Sequence, residues 1–202
     1  MPSSLPATHV LMFDGFDDLD AIGPLEVLSE AGFPVAVVRP PAHDRSVHSA
    51  HALTLAVDAV LDADAQLVIV PGGGWLDGAA GVRAQCATDL PAQLARLHAS
   101  GTVIASVCTG AMLLAAAGLV DGRPAVTNRN ALDDLAAAGA DVRHDARVVD
   151  DGSIVTAGGP AAGLDLAVHL VARFAGPADG EAAAGRLEHV PVGPVLVTDS
   201  RE

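Results

Sequence analysis

Cys108 is the residue in this chain best placed to do chemistry. It lies in Ala-Ser-Val-Cys-Thr-Gly-Ala, between an apolar β-branched run, Thr102–Val107, and an Ala/Leu helical pattern, Thr109–Leu119. Ser106 and Gly110 put small residues two positions either side of it. A sharp strand–nucleophile–helix turn needs that smallness, because neighbouring segments crowd its flanks. A thiol at a helix start also meets the positive end of the peptide dipoles and unpaired N–H groups, which favour the thiolate. The competing reading is a buried structural cysteine, the usual fate of a free thiol. Strand, turn and helix in register favour the nucleophile. Cys86, in Gly-Val-Arg-Ala-Gln-Cys-Ala-Thr, lacks small flanking residues and a preceding buried strand, and reads as a thiol of no consequence.

Two further segments belong with Cys108. Pro71-Gly72-Gly73-Gly74 ends the strongest strand signal, Gln66–Val70, and its glycines let backbone N–H groups approach a ligand as oxyanion-type donors. Asp20, in Asp-Asp-Leu-Asp-Ala-Ile-Gly-Pro, follows the first strand and precedes apolar Ala21-Ile22. Partial burial there would raise its pKa, although a helix-capping role fits the sequence equally well. Asp14, Asp17 and Asp18 read as solvated loop acids, and Glu26 as a surface residue. The eight His form no ligand pattern: His43, His48 and His51 sit in a polar loop, and neither Cys-x-x-Cys nor His-Glu-x-x-His occurs. The sequence therefore calls for no metal and no cofactor.

Alternating strand and helix patterns position these residues. Strands are expected at His9–Phe13, Pro34–Arg39, Gln66–Val70 and Thr102–Val107, with a short one at Ala125–Thr127. Val148–Asp150 and Ser153–Thr156 flank Asp151-Gly152, a hairpin signal. Helices are expected at Leu19–Glu30, started or kinked by Gly23-Pro24, and at Leu90–Ala99, Thr109–Leu119, Ala131–Ala138, Ala161–Phe174 and Glu181–His189. Ala42–Asp64 reads as an excursion on the sheet edge, and Pro191–Glu202 shows no pattern beyond a tail that packs loosely or against a second subunit. Such alternation implies βαβ units, a mostly parallel sheet covered on both faces, and ligands beyond the carboxyl ends of its strands. No repeat or linker divides the 202 residues, so one domain spanning 1–202 is expected.

Composition excludes several functions. The net charge is -14, from 25 acidic residues against 11 Arg and no Lys, which opposes nucleic acid and anionic membranes as partners. Without Lys there is no Walker-type phosphate site. Aromatic residues make up 2%, too few for stacking platforms. No apolar run approaches the roughly 20 residues of a membrane span, and no secretory signal is evident at the start. Two cysteines are too few for a disulfide framework, which favours the cytoplasm.

Taken together these segments resemble the ThiJ/PfpI superfamily, and more closely its isocyanide hydratase-like branch. The resemblance rests on Leu19–Pro24 (LDAIGP), Val68–Gly74 (VIVPGGG), Ser106–Ala111 (SVCTGA) with the run to Thr127, and Val155–Leu170 (VTAGGPAAGLDLAVHL). It covers nearly the whole chain. It implies a flavodoxin-like three-layer sandwich with a cysteine nucleophile elbow, a small-molecule substrate and a homodimer. It further implies Cys108 as nucleophile, Asp20 as the acid bonded to substrate or water, and Thr109 assisting through its hydroxyl or N–H. Gly73, Gly74, Gly159 and Asn128 would line the pocket. Relatives usually carry His then an aromatic residue after the threonine that corresponds to Thr127, whereas Asn128-Arg129 stand here. Superfamily peptidases and glyoxalases rely on a histidine at about that place. The resemblance to the hydratase-like branch implies conversion of an isocyanide to an N-substituted formamide. Glyoxalase or deglycase chemistry, or a redox-sensing role for Cys108, stand as alternatives.

Overall fold

The computed structural model describes residues 5–76 and 80–198. The first half of the chain forms β1 (Thr8–Leu11), α1 (Asp18–Glu30), β2 (Val35–Val38), β3 (Ser46–His48), β4 (Thr54–Ala56), β5 (Leu67–Val70), α2 (Val82–Gln85) and α3 (Leu90–Ala99). The second half forms β6 (Val103–Ser106), α4 (Ala111–Ala116), β7 (Pro124–Ala125), α5 (Leu132–Ala137), β8 (Asp141–Val142), β9 (Val148–Asp151), β10 (Ile154–Ala157), α6 (Ala162–Ala175), α7 (Pro177–Arg186) and β11 (Val195–Val197). One-turn 3-10 segments cover Cys108–Gly110 and Arg129–Ala131.

Seven strands make the central sheet, in the order β11-β9-β10-β6-β5-β1-β2. β2, β1, β5, β6 and β10 run parallel, while β9 pairs antiparallel with β10. β1, β5 and β10 are buried along their whole length, as a parallel sheet covered on both faces requires. Helices α1, α6 and α7 pack together, and α3 packs on α4. The result is a flavodoxin-like α/β sandwich. Parallel strands bring their carboxyl ends to one edge, so the segments after β1, β5, β6 and β10 converge there.

Several expectations change in the structure. Gly23-Pro24 neither starts nor breaks α1, which begins at Asp18 with the Asp17 carboxylate capping Leu19 N–H. Proline adopts the helical φ but offers no N–H to the Asp20 carbonyl, a loss that packing offsets, because both residues are buried where α1 crosses α6. A Cβ on Gly163 would lie 3.2 Å from Val107 and 3.4 Å from Pro24, so the glycine permits that crossing. The expected helix Thr109–Leu119 is shorter: a 3-10 turn precedes α4, which ends at Ala116. β7 stops at Ala125, because Val126 N–H and Thr127 Oγ1 bond instead to Thr156 and Cys108. α7 starts four residues earlier than expected, at Pro177, a good first-turn residue. The tail is not loose: Val195–Val197 pairs parallel with Val148–Asp150 as the edge strand. The expected excursion becomes a small antiparallel sheet, β3 with β4, linked to the core by bridges at Phe16–Ser49 and Arg39–Val60.

Candidate active site

The strand-to-helix turn places Cys108 where its backbone must bend sharply. Its φ is +55°, left-handed for a residue with a side chain, a strain on the order of 1–3 kcal/mol. Three contacts hold it: Cys108 N–H donates to Gly158 O at 2.7 Å, Thr127 Oγ1 donates to Cys108 O at 2.7 Å, and Gly110 N–H donates to Val107 O at 2.9 Å. The small neighbour is a requirement, since a Cβ on Gly110 would sit 2.4 Å from Val70 O. The residue is 6% exposed and lines a cavity of about 240 Å³.

Four groups address the sulfur. Asn128 Nδ2 donates to Sγ at 3.2 Å, and the Thr109 N–H also bonds to it. Asp20, fully buried, lies beside the thiol from α1, and Asp17 adds its charge from farther out. Burial pushes the Cys108 pKa up to about 12; the Asp20 charge adds to the rise, and Asn128 and Thr109 offset part of it. The helix-start dipole expected to favour the thiolate is therefore opposed here. Only a 3-10 turn and a six-residue helix follow the cysteine, and desolvation with a neighbouring carboxylate outweighs them.

Asp20 is held by the glycine segment. Gly72 N–H donates to Asp20 Oδ2 at 2.9 Å, while Oδ1 is buried with no well-formed protein hydrogen bond. Burial and then repulsion from Asp17 raise its pKa to about 7, with partial relief from the Gly72 N–H and the Cys108 thiol. No cation pairs with it among the described residues. Gly72 is obligatory here: a Cβ would lie 2.6 Å from Asp20 Oδ2 and 2.7 Å from Thr109 N.

The remaining expected residues divide. Gly73 and Gly74 line the cavity, but Gly73 N–H donates to Thr109 Oγ1 at 3.0 Å and is therefore spent on the loop rather than on an oxyanion. Their missing side chains serve close packing, since a Cβ on Gly73 would sit 2.1 Å from Gly15 O and one on Gly74 2.1 Å from Ala80 O. Gly159 lies outside this cavity, in an adjoining cleft whose wall includes Asn128. Asp17, read from sequence as a solvated loop acid, lines the cavity and caps α1, and Trp75, not singled out from sequence, lines it too. Trp75 is fixed by a 2.6 Å hydrogen bond from Nε1 to Asp134 Oδ2 and by Arg83 over its ring at 4.5 Å. The single Trp directly after a glycine run was the available signal. Cys86 caps α2 half-buried, with burial raising its pKa. Among the described residues no three His, Cys, Asp or Glu side chains converge as a cation set.

A buried thiol, a proton acceptor titrating near neutrality and two N–H donors can together add a thiol across an electrophilic carbon and then deliver water to it. The model of the DJ-1/PfpI family matches residues 8–173. An isonitrile hydratase of Pseudomonas putida is 32% identical over 192 residues, covering 91% of this chain and 78% of the relative. A deglycase of Thermococcus kodakarensis is 30% identical over 155 residues, covering 75% of this chain and 89% of the relative. Drosophila melanogaster DJ-1beta superposes with a TM-score of 0.81 at 23% identity, covering 92% of this chain and 99% of that one.

Proposed function

The chain belongs to the DJ-1/PfpI family, and from that premise we propose that it is a cysteine-dependent hydratase converting an isocyanide to an N-substituted formamide. The observation that carries this reading is the pairing of Cys108 with Asp20, while Asn128, which cannot accept a proton through its amide N–H, donates to the sulfur. The reaction needs a group that takes the thiol proton and returns it to the same small substrate. A carboxyl with a pKa of about 7 is suited to both transfers near neutral pH.

In the first step the Cys108 S–H proton passes to ionised Asp20 as sulfur bonds to the terminal isocyanide carbon. Asp20 then gives that proton to the same carbon, leaving a thioimidate, R–N=CH–S–Cys108. Water adds to the thioimidate carbon as Asp20 takes one of its protons and passes it to the nitrogen, leaving a hydroxyl whose proton goes to the sulfur on collapse. Collapse of the tetrahedral adduct expels the sulfur, returns a proton to it and releases R–NH–CHO. The sum is one isocyanide and one water to one formamide. The N–H groups of Asn128 and Thr109 stabilise the sulfur whenever it carries negative charge.

The test is formamide production from a simple alkyl isocyanide by purified protein, with Cys108→Ala and Asp20→Asn alongside. Turnover by wild type and none by either variant supports the reading; an inert wild type sinks it. A second reading, deglycase-type chemistry on α-oxoaldehydes, draws on the Thermococcus relative and uses the same nucleophile. It requires Asp20 to carry every proton that a histidine would otherwise carry, and consumption of methylglyoxal without isocyanide turnover would favour it.

A further inference from the structure

Next to the nucleophile's cavity lies a larger cleft of about 710 Å³. The two share Asn128, Asn130 and Pro160 in their walls, so they adjoin along the turn that also carries the hydrogen bond to Cys108 Sγ. Arg129, His144 and Arg147 line the cleft, and among the described residues no carboxylate does, in a chain where acids outnumber arginines 25 to 11. Arg147 is partly neutralised, its Nε donating to Asp165 Oδ2 at 2.8 Å. Neither Arg129 nor His144 has an ion pair or side-chain hydrogen bond among the described residues. Asp145 follows His144 in the chain but does not line the cleft.

An acid-free, guanidinium-bearing cleft opening beside a nucleophile selects for negative charge on the part of the substrate that does not react. The planar fork of Arg matches a carboxylate in two parallel hydrogen bonds, and the amides of Asn128 and Asn130 add neutral donors. We propose that the substrate is an electrophile whose substituent carries a carboxylate, seated in this cleft with Arg129 as its principal anchor while the reacting carbon reaches Cys108. On the hydratase reading, which this proposal deepens, the substrate class is an isocyano carboxylate and the product an N-formyl amino carboxylate.

The experiment uses a matched pair of alkylating probes, N-bromoacetylglycine and N-bromoacetylglycinamide, and reads Cys108 modification by peptide mass spectrometry. Each reaction forms a carbon–sulfur bond, expels bromide and releases the thiol proton to solvent, so it does not depend on turnover. Rates are normalised to those of 2-mercaptoethanol. At low salt the wild type is expected to favour the carboxylate probe about three- to tenfold, against the repulsion of its own net charge. Arg129→Gln should bring the ratio to within about twofold of unity with the amide rate unchanged, and Arg129→Lys should restore part of it. High salt should erode the preference. A wild-type ratio near one, or a preference that survives in Arg129→Gln, overturns the proposal. So does failure of either probe to reach Cys108. Absence of isocyanide turnover with the charge preference intact would instead remove the hydratase reading and keep the anion-binding cleft.

Discussion

Asp20 and Asp150 are both buried, at 0% and 3% exposure, and the protein treats them differently. Around Asp150, His169 Nε2 lies 2.7 Å away, Arg173 donates from Nη1 at 2.9 and 3.1 Å, and Gly152 N–H donates at 3.0 Å. Burial works to raise its pKa, but the hydrogen bond from His169, the Arg173 charge and the Gly152 N–H together leave it lowered. Asp165 on α6 is equally well served, by Arg147, His189 and the Val192 N–H. These carboxylates fasten α6, the β9–β10 hairpin and the C-terminal segment to one another. Among the described residues Asp20 has one backbone N–H, a thiol and no cation, and its pKa rises to about 7. A buried carboxylate given cations is a fastener; one denied them becomes a proton carrier at neutral pH. The site is thus defined as much by missing partners as by those present.

The largest effects expected from this contrast are on turnover. Cys108→Ala should abolish formamide production, and Asp20→Asn should lower kcat by about 10²–10⁴. The same Asp20→Asn change should raise the melting temperature, because removing an unpaired buried charge relieves a penalty on the order of 1–4 kcal/mol at neutral pH. Asp150→Asn should do the reverse. It strands Arg173 and His169, costs about 3 kcal/mol, and leaves turnover per folded molecule within about twofold. If both asparagine variants shift stability in the same direction, the contrast fails.

The pH dependences should also oppose each other. Asp20 has a folded pKa above its unfolded value near 3.8, so its contribution to stability declines as pH rises from about 4 to 7. Asp150 has a lowered folded pKa, so its contribution is present above about pH 4 and is lost as pH falls further. kcat/KM should fall about tenfold per pH unit below 7, as Asp20 loses its capacity to accept the thiol proton. A rate that rises on acidification to pH 5 would contradict that assignment. The smallest effect belongs to Cys86→Ser, expected to change neither turnover nor melting temperature measurably beyond the loss of its weak contact to Met112 O at 3.8 Å.

Local signals made much of this legible in the sequence. The strands at Leu67–Val70 and Val103–Ser106, the helix Leu90–Ala99 and the β9–β10 hairpin announce themselves through apolar runs and Asp151-Gly152. The elbow at Cys108 is written in its small flanking residues, and the +55° φ is the backbone consequence. What escaped depends on contacts between distant segments. Pro24 fits within α1 because Gly163 on α6 lets it pack, and β11 exists because Val148–Asp150 offers it a free edge. The identity of Gly73 as a packing glycine rather than an oxyanion donor rests on Thr109 Oγ1, 36 residues away. Asn128 stood out as a departure after Thr127, but only the fold places its amide on the sulfur.

The most direct test is ultraviolet titration of the Cys108 thiolate in a Cys86→Ser background, favoured by a chain with no Tyr to obscure the signal. The thiol should stay protonated through neutral pH, rising toward a pKa of about 12, and adding Asp20→Asn should bring its midpoint down by removing the neighbouring charge. A thiolate already formed below pH 7 and unmoved by Asp20→Asn would contradict the account, because Asp20 would then have no hold over the proton it is said to carry.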